Sequence, residues 1–204
     1  MNRVIIYIHG KGGSAAEAEH YRPLFPDCRV LGLEYSAETP RQAREELPRK
    51  LRQLAGNTPV TLIANSIGAY FSLCALSEEN IEQAFLISPV VDMERLIVTM
   101  MGWAGIDEAE LRRRGRVETA FGETLDWEYL RDVRSHPVQW RIPTHILYAG
   151  GDNLTDRETI TAFARRVGAT LTVMEDGEHW FHTPEQLDFL DDWLRERTKG
   201  DADE

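Results

Sequence analysis

A chain of 204 residues, 42% hydrophobic and 28% charged, is long enough for one well-buried globular domain and too short for two comfortable ones. Its net charge of −11 argues against nucleic acid and acidic membrane surfaces as partners, because both are normally bound through basic faces. Two cysteines, Cys28 and Cys74, are too few for a disulfide framework, and the first apolar run is too short for a secretion signal or a membrane span. We expect a reduced, cytoplasmic protein with one domain over residues 1–198 and a disordered tail over residues 199–204.

Six short apolar runs rich in β-branched residues recur along the chain, separated by helical patterns. Alternating strands and helices imply a parallel sheet, and right-handed crossovers place helices on both of its faces. The sequence therefore predicts an α/β fold with a doubly wound, mainly parallel, six-stranded sheet. Functional groups in such sheets gather beyond the carboxyl ends of the strands. The predicted strands are residues 4–9, 29–35, 60–64, 84–88, 144–149 and 170–174.

Three helices carry specific signals in the sequence. The helix after the second strand contains Pro48, which removes a backbone hydrogen bond, so we expect a bend there. Thr155 and Glu158 have the spacing of a capping box, which predicts that a helix begins after Thr155. Thr183 and Pro184 mark the start of the last helix.

The fourth and fifth strands are separated by about fifty residues, far more than one crossover requires. We interpret residues 91–143, approximately, as a small inserted cap made of three helices that glycines interrupt. Its apolar residues either line an adaptable pocket for an acyl or aryl group or pack the cap onto the sheet. These residues are Met100, Met101, Trp103, Trp127 and Trp140.

A run of basic residues in the cap also has two interpretations. Arg112, Arg113, Arg114 and Arg116 either hold an anionic group of a substrate or form a solvated helix face. The second interpretation is the more common explanation of such a charge run.

The sequence Ala64-Asn65-Ser66-Ile67-Gly68 lies between an apolar strand and a helix that should begin near Ile67. This pattern is typical of a nucleophile elbow, a strained turn that exposes the serine hydroxyl at the end of the sheet. Small residues are needed two positions before and after the serine, because strand and helix approach closely there. Ala64 replaces the first glycine of the G-x-S-x-G form, and a methyl group is tolerable at that position. The alternative interpretation is a serine that caps a helix.

Two further residues complete a catalytic pattern with Ser66. Asp152 follows the fifth predicted strand and His179 the sixth, so all three residues lie at carboxyl ends of strands. A neutral imidazole can take the proton of a serine hydroxyl during attack, and a carboxylate fixes the tautomer of that imidazole. We predict that Ser66 is the nucleophile, His179 the general base and Asp152 the orienting acid.

Other side chains compete for the acid's role or suggest a metal. Asp156 falls in the first turn of a helix, where the helix dipole accounts for a carboxylate, and Asp92 fits as a helix cap. His182 lies three residues after His179, yet no carboxylate or cysteine nearby completes a zinc-binding spacing. We expect neither a metal nor a cofactor.

The loop after the first strand, residues 9–13, reads His-Gly-Lys-Gly-Gly. In a hydrolase this loop supplies one backbone N–H to the oxyanion hole and the residue after the nucleophile supplies the other. We predict that the donors are the N–H groups of Lys11 and Ile67.

The same loop supports a rival hypothesis. Gly10, Gly12 and Ala15 fit the dinucleotide-binding pattern G-x-G-x-x-A, and Glu34 ends the next strand where a ribose-binding acid should lie. An NAD-binding protein of this kind would leave the serine, aspartate and histidine pattern unexplained. The chain also lacks the Tyr-x-x-x-Lys pair of short-chain hydride-transfer enzymes.

With these motifs the chain resembles the α/β-hydrolase superfamily, in its small esterase and acylhydrolase branch, over nearly its whole length. Residues 141–148 are similar to the family's usual approach to the acid-bearing strand. The family's first antiparallel hairpin is absent, since the first strand begins at Arg3, so we expect a reduced version of the fold.

The resemblance implies acyl transfer to Ser66 and hydrolysis of the acyl-enzyme without a cofactor. It favours a small-molecule carboxylic ester as substrate, while thioesters and amides suit the same machinery. Met100, Trp103 and Trp180 are the predicted substrate contacts. A hydrolase-like binding protein that has lost catalysis is a third hypothesis, against which the complete set of three residues argues. The sequence does not indicate the oligomeric state.

Overall fold

This computed structural model describes residues 3–200, with side chains described for residues 3–198. The described part of the chain contains eight strands and seven α-helices. The strands are β1 (Arg3–Ile8), β2 (Cys28–Leu33), β3 (Val60–Asn65), β4 (Ile81–Ile87), β5 (Arg116–Glu118), β6 (Thr124–Asp126), β7 (Thr144–Ala149) and β8 (Thr170–Met174). The helices are α1 (Pro40–Ala55), α2 (Ser66–Ala75), α3 (Met93–Ala104), α4 (Glu108–Arg114), α5 (Trp127–Ser135), α6 (Arg157–Val167) and α7 (Pro184–Gly200). A 3-10 helix, Ala15–Leu24, follows β1.

Six of these strands form one parallel sheet in the order β2-β1-β3-β4-β7-β8, which confirms the predicted fold class. The chain leaves β1 toward β2 on one side and later reaches β3 on the other side. The order therefore reverses between β1 and β3, and the loops that follow these two strands lie next to each other. A ligand site is expected at this switch point.

Alternate side chains of β1 explain why the sheet is covered on both faces. Ile6 and Ile8 pack in the core that the sheet forms with α1, α2 and α6. Ile5 and Tyr7 point to the opposite core, which the 3-10 helix and α7 complete. A strand that is buried on both faces reads as a continuous apolar run, which is the pattern seen in the sequence.

The cap between β4 and β7 is only partly the helical insertion that the sequence predicts. Helices α3, α4 and α5 are present, but an antiparallel hairpin of β5 and β6 lies between the last two. Each strand of this hairpin has three residues and one buried apolar side chain, Val117 or Leu125. A pattern this short has no measurable period, so the sequence indicated the three helices of the cap but not the hairpin between them.

The N-cap of helix α6 lies one residue after the predicted cap, Thr155. Asp156 is the N-cap, and its carboxylate accepts a hydrogen bond from the Thr159 N–H at 2.8 Å. The hydroxyl of Thr155 is buried and instead donates to the Pro89 carbonyl at 3.2 Å, so it is not available to the helix.

The last helix begins where the sequence predicts it. Helix α1 continues through Pro48 as one helix, and α7 begins at Pro184. Because α7 extends to Gly200, the first two residues of the predicted tail are helical, while residues 201–204 lie outside the described part of the chain.

Candidate active site

The turn from β3 into α2 holds Ser66 in a strained conformation. Ser66 has a φ of 51°, and among the described residues only Ser66 and Ser88 adopt positive φ without being glycine. A left-handed backbone brings the Cβ of an L-residue close to its own carbonyl oxygen, which costs roughly 1–2 kcal/mol. Such strain persists where the surrounding structure enforces it, and functional sites are the usual places.

The small residues around Ser66 are explained by the packing of α2 against β1. A Cβ atom built on Gly68 would lie 2.1 Å from the carbonyl oxygen of His9, so no larger residue fits without displacing backbone. Ala64 is fully buried in the core, which accommodates its methyl group. The requirement for a small residue is therefore strict at Gly68 and weaker at Ala64.

The side chains of Ser66, His179 and Asp152 form a hydrogen-bonded chain. The Ser66 hydroxyl donates to Nε2 of His179 at 2.7 Å, and Nδ1 of His179 donates to Oδ2 of Asp152 at 2.7 Å. Because Nδ1 carries the proton, Nε2 presents a lone pair to the hydroxyl. The other carboxylate oxygen of Asp152 accepts the N–H groups of Leu154 at 2.7 Å and Thr155 at 3.3 Å. The structure thus brings together the three residues that the sequence singled out.

Burial differs along this chain of side chains. The Asp152 side chain has no exposed surface, whereas 21% of the His179 side chain is exposed. A buried carboxylate needs hydrogen-bond donors, and Asp152 has the imidazole and two backbone N–H groups. The imidazole keeps a surface through which a substrate can reach it.

The loops after β7 and β8 are hydrogen-bonded to each other, which fixes the positions of Asp152 and His179 relative to one another. Gly150 donates its N–H to the Met174 carbonyl at 2.8 Å, and Gly151 donates to the Gly177 carbonyl at 2.9 Å. A Cβ atom on Gly150 would lie 2.2 Å from the Glu175 carbonyl oxygen. Glycine is required at position 150 because two backbone segments meet there.

Tyr148 supports the loop that carries Asp152. Its hydroxyl donates to the Thr155 carbonyl at 2.9 Å. Burial, and secondly the negative charge of Asp152, raises the pKa of this hydroxyl above its ordinary value. Tyr148 therefore stays a neutral donor over the whole physiological pH range.

The loop after β1 lies against the serine turn. A Cβ atom on Gly10 would be 3.2 Å from Cβ of Ser66. Lys11 follows Gly10 and Ile67 follows Ser66, so the two predicted oxyanion donors are each one residue from this contact. The Lys11 ammonium group donates to the Glu123 carboxylate of the cap at 2.6 Å.

The competing acids and the second histidine have other partners. Asp92 caps α3 by accepting the Arg95 N–H at 2.9 Å, and Asp156 caps α6. Nδ1 of His182 donates to the Trp180 carbonyl at 2.6 Å. Within residues 3–198, no three His, Cys, Asp or Glu side chains are grouped closely enough to hold a metal ion.

The predicted substrate contacts differ in exposure. Met100 is half-buried against the core, whereas Trp103 is 55% and Trp180 69% exposed. Phe121, which the sequence analysis missed, is 42% exposed and meets Trp103 edge to face, with ring centroids 5.8 Å apart. No periodic signal marks Phe121, because it lies in the turn of the β5–β6 hairpin.

Two other apolar residues of the cap serve packing instead of lining a pocket. Met101 and Trp140 are each 5% exposed and belong to the core. The indole N–H of Trp140 donates to the Thr144 hydroxyl at 2.7 Å, which satisfies its polar atom. Trp127 is partly buried against the same core.

The basic run of the cap interacts with the cap itself. Arg114 lies 3.2 Å and Arg113 3.8 Å from the Glu110 carboxylate, and Arg116 lies 3.4 Å from that of Asp126. Arg112 lies over the ring of Trp127 at 5.8 Å. These contacts favour the interpretation as a solvated face, because each of the four guanidinium groups already has a partner within the cap.

The glutamate of the dinucleotide hypothesis is engaged by the protein. Glu34 accepts the Ala15 N–H at 3.0 Å and lies 3.4 Å from Nε2 of His9. The residues after the glycine loop form a 3-10 helix rather than the α-helix of a dinucleotide-binding unit. The carboxylate expected to hold a ribose therefore holds the loop itself.

No helix in the described part of the chain has both the length and the apolar character that crossing a membrane requires.

Comparisons with known proteins identify the fold of this chain through solved structures of low sequence identity. No protein-family model matches the chain, and no curated protein matches it. Among solved structures, mouse alpha/beta hydrolase domain-containing protein 10 superposes with a TM-score of 0.77 at 14% identity, covering 97% of this chain and 90% of that one. Est1E from Butyrivibrio proteoclasticus gives 0.77 at 15% identity, covering 100% and 89%. The thioesterase domain from the curacin biosynthetic pathway gives 0.59 at 15%, covering 95% and 91%. With six parallel strands in this order, this chain has the fold of the α/β-hydrolase superfamily.

Proposed function

We propose that this protein is a serine hydrolase that cleaves carboxylic esters, with Ser66 as nucleophile, His179 as general base and Asp152 as orienting acid. The observation that supports it most strongly is the pair of 2.7 Å hydrogen bonds that link the three side chains. Nucleophile, base and orienting group within hydrogen-bond reach of one another are the signature of covalent catalysis by serine.

The reaction follows from these positions. His179 takes the hydroxyl proton as Ser66 Oγ attacks the ester carbonyl, which forms a tetrahedral intermediate with a negative oxygen. The N–H groups of Lys11 and Ile67 stabilise that oxygen, each by about 3 kcal/mol. The imidazolium returns the proton to the departing alcohol, leaving an acyl group on Ser66. Water, deprotonated by His179, then attacks this acyl-enzyme and releases the carboxylic acid.

The surface beside the site favours a substrate with an apolar acyl or aryl group. Leu96, Met100 and Trp103 lie four and three residues apart on α3, so they share one helix face. This face is buried at Leu96 and runs into solvent at Trp103, where Phe121 packs against it. Phe121 is two residues from Glu123, whose ion pair with Lys11 brings this end of the cap to the predicted oxyanion loop.

Solved structures with this fold are consistent with such a substrate. Est1E has been solved with ferulic acid bound, at 16% identity to this chain. The similarity to a thioesterase domain makes thioester hydrolysis the second candidate, since the same acyl-enzyme would form. We also propose a reduced, cytoplasmic location, supported by the free thiols of Cys28 and Cys74.

Labelling with a fluorophosphonate probe tests the nucleophile directly. We expect the wild-type protein and Ser135→Ala, which removes an exposed serine of α5, to label, and Ser66→Ala not to label. His179→Ala and Asp152→Asn should retain the fold, and Asp152→Asn should lower kcat by about 10⁴-fold because the imidazole tautomer is no longer fixed.

Hydrolysis rates then identify the substrate class. A panel of p-nitrophenyl acetate, butyrate and octanoate, a feruloyl ester and an acyl thioester separates short acyl, long acyl, aryl and thioester preferences. A folded protein that neither labels nor hydrolyses any of them would contradict the proposal and favour a binding protein that has lost catalysis.

A further inference from the structure

The peptide unit between Gly10 and Lys11 is held from its carbonyl side. The Gly10 carbonyl oxygen accepts a hydrogen bond from Nδ1 of His9 at 2.9 Å and another from the Gly13 N–H at 3.2 Å. Since a carbonyl oxygen only accepts, Nδ1 of His9 must carry a proton. In a planar trans peptide the N–H points away from the carbonyl. Fixing the Gly10 carbonyl therefore fixes the direction of the Lys11 N–H.

The residue that precedes this N–H group lies against the turn that carries Ser66. The Cα of Gly10 is so close to the serine turn that an added Cβ would be 3.2 Å from Cβ of Ser66 and 3.6 Å from the Asn65 carbonyl oxygen. In the described part of the chain, the Lys11 N–H donates to no acceptor. It is a free donor one residue away from the contact between Gly10 and Ser66, and the two hydrogen bonds to the Gly10 carbonyl determine where it points.

The imidazole of His9 is itself immobilised by the end of β2. Its ring stacks on Tyr35 with centroids 4.3 Å apart and planes 17° apart, and the residue is 6% exposed. The Tyr35 hydroxyl donates to the His9 carbonyl at 2.9 Å. Burial, and secondly the charge of Glu34, raises the pKa of Tyr35, so it remains a donor. On the other edge of the ring, Nε2 is buried 3.4 Å from a carboxylate oxygen of Glu34 and makes no hydrogen bond within the described part of the chain.

We propose that His9 is a positioning residue of the oxyanion hole: its Nδ1–H holds the Gly10 carbonyl and thereby aims the Lys11 N–H at the developing oxyanion. This inference rests on the proposed function. A donor aimed at an oxyanion acts on the transition state rather than on bound substrate. His9 should therefore affect kcat and leave KM almost unchanged.

Three replacements of His9 separate the hydrogen bond from packing. In His9→Asn the side-chain amide nitrogen lies about where Nδ1 lies, so the hydrogen bond to Gly10 can be kept. In His9→Gln the amide lies further out, near the position of Nε2, and His9→Leu has no donor. With p-nitrophenyl butyrate we expect kcat to fall about 10- to 100-fold in the Leu and Gln variants and less than about 5-fold in the Asn variant, with KM within about two-fold throughout.

A trifluoromethyl ketone provides the second readout, because its adduct with serine carries an oxyanion. Its affinity should fall in proportion to kcat/KM across the three variants, as expected for a group that acts on the tetrahedral state. Urea unfolding identifies any variant that is not folded. If the Leu variant does not fold, the Asn and Gln variants still test the hydrogen bond.

The outcomes distinguish this inference from the proposed function. A wild-type protein that is inert to both the ester and the fluorophosphonate removes the proposed function and this inference with it. An active wild-type protein whose folded Leu and Gln variants keep their kcat overturns the role of His9 alone. Asn and Gln variants that are folded and equally impaired overturn it as well, because the donor at the Nδ1 position would then not matter.

Discussion

The carboxyl edge of the sheet and the cap use positive φ angles in opposite ways. At the ends of β3 and β4 the residues with positive φ are serines, Ser66 at 51° and Ser88 at 40°. In the cap the residues with positive φ are glycines, namely Gly105, Gly115 and Gly122. Glycine adopts this conformation without steric strain, whereas a serine does not. Strain is therefore found at the edge of the sheet and is avoided in the cap.

The two regions also differ in how tightly their backbones meet. Gly68 and Gly150 lie against backbone carbonyls that an added methyl group would overlap. Nothing lies within 4 Å of a Cβ added to Gly102, Gly105, Gly115 or Gly122 of the cap. Close backbone contacts hold the Ser66 hydroxyl in one position at the edge of the sheet. The glycines of the cap only allow the chain to turn and make no such contacts. This difference teaches that intolerance to substitution should be concentrated at the sheet edge.

The largest expected effect is a difference in stability between alanine substitutions at two glycines that both lie in helices. Gly68→Ala, in α2, should lower the free energy of unfolding by about 3 kcal/mol, because the new methyl group overlaps the His9 carbonyl. Gly102→Ala, in α3, should raise it by about 0.5–1 kcal/mol, because alanine is the better helix former and its methyl group meets open space. Urea unfolding measures both. A Gly68→Ala protein as stable as the wild type would show that the contact at the turn is not enforced.

A medium effect tests where strain resides. Ser66→Gly should raise the free energy of unfolding by about 1 kcal/mol, since glycine relieves the positive φ at some cost in backbone entropy, while activity is lost. Gly105→Ala, at a φ of 67°, should lower it by about 1 kcal/mol by introducing the same strain into the cap. Thermal unfolding and ester hydrolysis are the measurements. The comparison fails if Ser66→Gly is less stable than Ser66→Ala.

The smallest expected effect concerns the contact that joins the two regions. The Lys11 and Glu123 side chains are 68% and 38% exposed, and exposed ion pairs contribute about 0.2–1 kcal/mol. A double-mutant cycle of Lys11→Met and Glu123→Gln should give a coupling energy below about 1 kcal/mol that decreases with added salt. The backbone N–H of Lys11 is present in every variant. A coupling energy above this range would mean that the ion pair joins the cap to the predicted oxyanion loop more strongly than is usual for side chains this exposed.

The sequence by itself determined the features that are local or follow from strand order. Continuous apolar runs located the six strands of the sheet to within three residues at their starts, because a strand buried on both faces needs apolar side chains throughout. Ser66 was found from the small residues around it, and Asp152 and His179 from their places after β7 and β8. The polarity of a parallel sheet brings such strand ends to one edge, so their proximity could be inferred without coordinates.

Only the tertiary structure decided the features that depend on contacts between distant segments. The β5–β6 hairpin has too few residues for a period, and its strands are defined by pairing with each other. Asp156 caps α6 because the Thr155 hydroxyl is used by a carbonyl 66 residues away. The contact of His9 with Gly10 is local, but its meaning depends on Ser66 lying against the same loop. In each case the deciding energy is a hydrogen bond or a packing contact whose partner the local sequence cannot specify.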